Sequence, residues 1–235
     1  MLDTRSKLIA VLIVSLAACS ATTSSRNIRT GGLVALIDVT SEHEGQSSVK
    51  TSLVVGGANS NTYVMLEGGD RLSAAAGSEH KDMNATSAGE YEAKFATSGG
   101  EIVVKLARDV DKSAPNSKGT LPPPFEITNS FDDKPISREK QTVTLTWAPK
   151  EGGADVAIHL SGDCILDQDF SVGGDPGSYT IDKGTLTAWK GQELQACNVA
   201  VVVTRTVKGT TDPELGSDSH FLLHQLRDAR FVSGP

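Results

Sequence analysis

Apolar and polar residues alternate one for one through most of this chain, and that period of two constrains its fold more than any other feature. Tyr91, Ala93 and Phe95 alternate with Glu90, Glu92 and Lys94, and Ile102, Val104 and Leu106 with Glu101, Val103 and Lys105. Successive side chains of a strand point to opposite faces, so each run predicts a half-buried strand; no segment from residue 33 onward carries a helical period. Ser98-Gly99-Gly100 between the two runs predicts a hairpin with one buried face. Residues 62–66 and 71–75, joined by Glu67-Gly68-Gly69-Asp70, predict a second hairpin, and 33–39 and 49–55 add two strands. With no crossover helix available to connect parallel strands, these segments predict a small β-sandwich over residues 31–110.

Across 111–124 the alternation lapses, and the stretch closes on Pro122-Pro123-Pro124. Prolines donate no ladder hydrogen bonds and favour polyproline II, so 111–124 reads as a semi-rigid linker; a proline-rich ligand for another protein is the sharper alternative. Beyond it Val143, Leu145 and Trp147 share one face against Thr142, Thr144 and Thr146, and Val156, Ile158 and Leu160 lie opposite Asp155 and His159. At 198–207, Ala200 and Val202 are apolar as well as Val199, Val201 and Val203, which predicts a central strand covered on both faces. Residues 179–181, 186–189 and 221–232 complete the set. The expected class is all-β, with two tandem β-sandwich (immunoglobulin-like) domains, the second over 125–235.

The first twenty residues are of another kind. Arg5 and Lys7 precede an apolar run at 8–14, and Leu16-Ala17-Ala18-Cys19 follows. A membrane-spanning helix needs about 20 apolar residues, whereas a basic start, a short apolar run and small residues make a cleavable signal. In this order the residues resemble the lipobox of bacterial lipoprotein precursors. The resemblance implies that residues 1–18 are removed as a signal peptide, that the Cys19 thiol carries a diacylglyceryl group, and that the new amino terminus is acylated too. Two or more acyl chains hold a protein on a membrane stably. An ordinary secretory signal with an incidental cysteine is the alternative. Ser20 is the non-Asp residue that, in enterobacterial lipoproteins, is compatible with export to the outer membrane, so the resemblance implies a lipid-anchored envelope protein. Small polar residues across 19–30 predict a flexible leash. The β-rich remainder resembles uncharacterised envelope lipoproteins, which supplies no substrate.

With Cys19 committed to lipid, Cys164 and Cys197 remain as an expected disulfide in an oxidising compartment; two separate buried thiols are the alternative. Cys164 ends one predicted strand and Cys197 begins another. In an immunoglobulin-like sandwich these third and sixth strands are antiparallel neighbours, so the bond would staple one sheet, unlike the inter-sheet bridge of antibody domains. Gln195 stands where a tyrosine corner would place its tyrosine.

Removing residues 1–18 takes away Arg5, Lys7 and Asp3, a net +1, and moves the formal charge from -7 to -8. An acidic chain without clustered Lys and Arg argues against nucleic acid as a partner. No nucleophile elbow, zinc-protease helix, Walker loop or dinucleotide fingerprint occurs. His220 and His224 would share a helix face, but four residues of strand span about 13 Å, too far to grip one ion. Asp163, Asp167, Asp169 and Asp175 lie in a glycine-containing stretch, which makes calcium the candidate cofactor, and Asp109 and Asp111 form a weaker cluster; solvated loop acids are the bland alternative. Arg205, Arg227 and Arg230 suit pairing with the chain's own carboxylates. The expected function is a non-enzymatic binding or adhesion and assembly module whose partner is an envelope protein or glycan. The alternatives are an envelope hydrolase with a dispersed carboxylate site around 163–175 and a purely structural component.

Overall fold

The computed structural model describes residues 21–131 and 134–235. The lipobox residues Leu16 to Cys19 and the implied cleavage site lie outside the described residues. The strands, in chain order, are β1 Ala21–Ser24, β2 Val34–Ser41, β3 Ser47–Val54, β4 Thr62–Met65, β5 Arg71–Ala76, β6 Glu79–Asp82, β7 Asn84–Ser87, β8 Glu90–Phe95 and β9 Gly100–Ala107. They continue as β10 Ala114–Leu121, β11 Glu126–Ile127, β12 Ile136–Ser137, β13 Val143–Ala148, β14 Asp155–Gly162, β15 Ile165–Val172, β16 Ser178–Ile181, β17 Cys197–Lys208 and β18 His220–Gly234. Among the described residues only two single 3₁₀ turns, Ser25–Asn27 and Thr30–Gly32, are helical. The all-β class read from the alternation is the class observed.

One large sheet carries both halves of the molecule. Its order is β1-β4-β3-β2-β18-β17-β14-β15, with β8 and β7 added through β3. The 15-residue β18 joins the halves: its first part pairs parallel with β2, from His220 opposite Leu36 to Gln225 opposite Ser41. It then continues beside β17 to Ser233 opposite Cys197. A four-stranded sheet, β10-β9-β5-β6, covers one end of the inner face, and a three-stranded sheet, β11-β13-β16, covers the other. Two hydrophobic cores result. Ile37, Val39, Val49, Leu53, Phe221 and Leu223 meet Leu72, Ile102, Val104 and Leu106 in the first; Val199, Val201, Val203, Ile158, Leu160 and Phe231 meet Leu145, Trp147 and Ile181 in the second.

A row of polar residues crosses the inner face between these cores. Register places Arg205 opposite Gln225 and Gln225 opposite Ser41, all three fully buried. Arg205 donates to Pro123 O at 2.9 Å and to the Pro149 carbonyl, and pairs with Asp175 Oδ2 at 2.7 Å. Gln225 Nε2 donates to Pro122 O at 3.0 Å. The Phe125 ring lies 4.5 Å below the Arg205 guanidinium and 5.6 Å from that of Arg227. The three prolines therefore carry the chain over the polar row from one small sheet to the other. Lacking N–H groups, they bring no donors needing partners, while the row satisfies two of their carbonyls.

Several expectations change. The stretch 111–124 is not a linker, since residues 114–121 form β10, with Ala114, Ser117 and Leu121 buried and Ser117 Oγ accepting from Asp212 N at 3.0 Å. Polar side chains on its other positions hide the alternation. The expected boundary between 31–110 and 125–235 is likewise not a spatial one, because β18 supplies Phe221 and Leu223 to the first core and Phe231 to the second. The two predicted hairpins are arches between sheets: β8 pairs with β3 while β9 pairs with β5 and β10, and β4 pairs with β1 and β3 while β5 pairs with β6 and β9. One-faced alternation fits a strand to either sheet facing a core, so the pattern alone does not distinguish the two. Residues 186–189 form no strand beyond a bridge between Ala188 and Ile165. The outer face of β17 is open, with Ala200 exposed and Val202 half-buried.

The leash is also shorter than expected. Residues 21–24 pair with β4, and Ser25 and Thr30 are buried. The cause is Arg108, whose side chain is fully buried against Asp70, with Nε 2.7 Å from Oδ2. Its remaining donors reach Ser25 O at 2.8 Å, Ile28 O at 3.0 Å and Thr30 Oγ1 at 3.2 Å.

Arg205→Met should lower unfolding stability by about 3–5 kcal/mol, because it leaves the Asp175 carboxylate buried without its cation. Denaturant titration of the variant checks this, and hydrogen exchange should show protection falling in both halves, since the row holds them together.

Candidate functional site

The loop between β16 and β17, residues 182–196, combines tight anchoring with apolar exposure. Trp189 is 50% exposed and Leu194 is 86% exposed. Cys164, in the turn after β14, is bonded to Cys197 at the start of β17, with Cα atoms 5.8 Å apart. Gly162 opposite Val199 makes the staple one of adjacent strands in a single sheet, as the strand positions predicted. The loop then folds back along the β15 edge: Leu166 N donates to Thr187 O at 2.8 Å and Trp189 N to Cys164 O at 3.2 Å. Gln192 N to Trp189 O at 2.8 Å and Gln195 N to Gln192 O at 3.0 Å close two turns. Leu186 roots the segment in the second core.

Arg138 completes the support, and nothing in the sequence reading singled it out. It is buried, and its guanidinium donates to Glu193 O and Gln195 O, both at 2.9 Å, and to Cys164 Sγ and Ser233 Oγ, both at 3.3 Å. One cation thus ties the loop, the disulfide and the end of β18 together. Rigid presentation of two exposed apolar side chains suits contact with a partner, because little rotamer and loop entropy is lost on docking.

The four acids considered for calcium are not assembled. Asp175 is buried and committed, accepting from Trp147 Nε1 at 2.6 Å and Glu151 N at 2.7 Å besides pairing with Arg205. Asp163 is exposed beside Cys164, and Asp167 and Asp169 lie exposed on the outer face of β15, where Asp169 Oδ1 meets His159 Nδ1 at 2.8 Å. Among the described residues no group of three or more His, Cys, Asp or Glu could hold a metal ion. Asp109 and Asp111 serve the backbone: Asp109 Oδ2 accepts from Gly69 N and Asp111 Oδ2 from Thr30 N, each at 2.6 Å. The Thr30 N–H holds the Asp111 carboxyl below its ordinary pKa.

His220 and His224 lie on a strand, as expected, yet both imidazoles face Asp38 on β2, so side-chain reach brings them closer together than the about 13 Å of strand between their backbone positions. His224 Nε2 is 3.4 Å from Asp38 Oδ1 and His220 Nε2 is 3.9 Å from Oδ2. The hydrogen bond with His224 lowers the Asp38 pKa below 3.8; burial opposes this and His220 reinforces it. Of the arginines, Arg205 pairs with an acid as expected, Arg227 instead reaches Ser41 O and the Phe125 ring, and Arg230 is exposed. A separate groove of about 530 Å³ on the first half is lined by Glu42, His43, Lys50, Glu92 and Lys94 among others, and none of the 163–175 acids enters it. Glu92 there accepts from Ser48 Oγ at 2.7 Å.

No family model matches the chain, and no curated protein matches it. Solved structures that resemble it include the FN1-FN3 domains of chicken CNTN1, at 10% identity and a TM-score of 0.25, covering 87% of this chain and 66% of that one. A DUF3823 family protein from Parabacteroides merdae is 12% identical with a TM-score of 0.23, over 83% of this chain and 99% of that one. A tetra-tandem repeat from the extending region of a large adhesion protein is 12% identical with a TM-score of 0.23, over 84% and 49%. The chain spans just under two thirds of the CNTN1 fragment and about half of the repeat fragment. Likenesses this slight bear on neither activity nor partner.

Cys197→Ala with Cys164→Ala should cost roughly 3–4 kcal/mol from the 33-residue separation and open loop 182–196 to proteolysis, read as new cleavage there before global unfolding. Asp38 supplies a pH signature. A depressed carboxyl pKa contributes stability above the ordinary value and loses it as pH falls through the folded value. The stability deficit of Asp38→Asn relative to the parent should therefore shrink as pH falls through and below the ordinary value of 3.8, measured as unfolding midpoints.

Proposed function

We propose that this chain is a lipid-anchored, non-enzymatic binding module of the bacterial cell envelope, attached through acylated Cys19 and contacting an envelope protein through Trp189 and Leu194. The observation that carries the binding reading is a loop fixed by a disulfide, a buried arginine and backbone hydrogen bonds that nonetheless leaves a tryptophan and a leucine exposed. Partner contacts concentrate their energy in such anchors, tryptophan above all. Leu194, apolar and 86% exposed, suits a protein pocket better than a sugar face. The anchor rests on the ordered basic, apolar and small residues ending at Cys19. A non-enzymatic role agrees with the fate of the 163–175 acids, one buried in a structural ion pair and the others exposed on an outer face and turn.

A photo-crosslinker at Thr187 in intact cells should capture one defined envelope protein. The double substitution Trp189→Ala with Leu194→Ser should reduce that adduct at least about tenfold while the thermal midpoint stays within a few degrees, as for exposed sites. An unchanged adduct, or retention on envelope polysaccharide with no protein adduct, would reject the protein-contact reading. Cys19→Ser should move the chain from the membrane fraction to the soluble one.

A further inference from the structure

The first strand begins close to the lipidation cysteine, and its direction fixes what faces the membrane. β1 is parallel to β4, with Ala21 opposite Thr62 and Ala21 N bonded to Asn61 O at 3.1 Å. β4 runs antiparallel to β3, so Ala21 lies at the end of the large sheet where β3 finishes and β2 starts. Cys19 is two residues away in sequence, a reach of at most about 7 Å.

We propose that the folded body is seated directly on the lipid headgroups by this pole, with no spacer between anchor and fold, and that the Trp189 loop is held at the opposite pole. This rests on the acylation of Cys19 put forward above. Loop 56–61 beside Ala21, Gly-Gly-Ala-Asn-Ser-Asn, carries no charge of its own; exposed Arg29, in the turn leading to β2, and the exposed Asp218 carboxylate, close to Gly57, stand beside it. With an arginine and a carboxylate both at this pole, the seating rests on the two-residue reach from Cys19 to the first strand and not on charge. The opposite pole follows from register. β18 starts at the anchored end and runs 15 residues, roughly 45 Å at strand rise, to Ser233, which faces Cys197 and bonds Arg138. The disulfide, Arg138, Trp189 and Leu194 therefore stand that far from the membrane.

The acylated full chain in vesicles containing anionic lipid and a headgroup-bound acceptor dye tests this. Asn59→Cys and Thr187→Cys each introduce a single free thiol for a donor dye, since Cys164 and Cys197 are bonded and Cys19 carries lipid. Energy transfer at position 59 should exceed that at 187 at least about threefold, given the roughly 45 Å between the poles. Ten Gly/Ser residues inserted between Ser20 and Ala21 should reduce transfer at 59 and erase most of the difference. Equal transfer at both positions in protein whose intact mass shows acylation would overturn the seating and leave the anchor standing. A mass without acyl groups would overturn the anchor and the seating with it.

Discussion

The fold depends on how one buried cation is satisfied. Arg205 sits on the core-facing side of β17, at the place where two apolar cores would otherwise meet, and its charge could not stay there alone. Asp175 from the β15–β16 connection, the Pro123 and Pro149 carbonyls and the Phe125 ring all converge on it. Each partner belongs to a segment passing from one sheet to another: Pro123 and Phe125 between the two covering sheets, Asp175 and Pro149 between the large sheet and the three-stranded one. Burial lowers the Arg205 pKa and Asp175 opposes the effect; a guanidinium keeps its proton in either case.

This arrangement makes a rod rather than two beads on a string. With β17 and β18 running through both cores, bending at the junction would break main-chain ladders and unpair the polar row. Two further buried arginines do similar work at the ends: Arg108 closes the pole that holds Ala21, and Arg138 closes the pole that presents Trp189. In each case a planar group with five donors gathers carbonyls from irregular segments, a task that suits arginine's fixed fork.

Much of this was legible in the alternation. The strands around residues 91–95, 102–106, 143–147 and 156–160 stand where period two placed them, the strand around 199–203 stands where its continuous apolar run placed it, and the disulfide follows from the ends of two of these strands. The polar row was written there as well: Arg205 shares the parity of Val199, Val201 and Val203, and Gln225 that of Phe221 and Leu223. Reading parity past the last apolar residue would have placed both inside. β10 was missed because Ala114, Ser117 and Leu121 do not form an apolar run, and Asp175 because a carboxylate in a glycine-containing loop looks the same whether it binds solvent, a cation or a buried arginine.

The sequence by itself determined the all-β class, most strand positions, the face each strand buries and the likeness of its first residues to a lipoprotein signal, because these depend on neighbours one or two positions apart. Only the tertiary structure decided which sheet each strand joined, that β18 would bind two cores into one body, and that Trp189 and Leu194 would be fixed yet exposed. Those outcomes depend on pairings such as Arg205 with Asp175, Arg108 with Asp70 and Arg138 with the carbonyls of Glu193 and Gln195. Such partners lie 30 or more residues apart, and no local period records them.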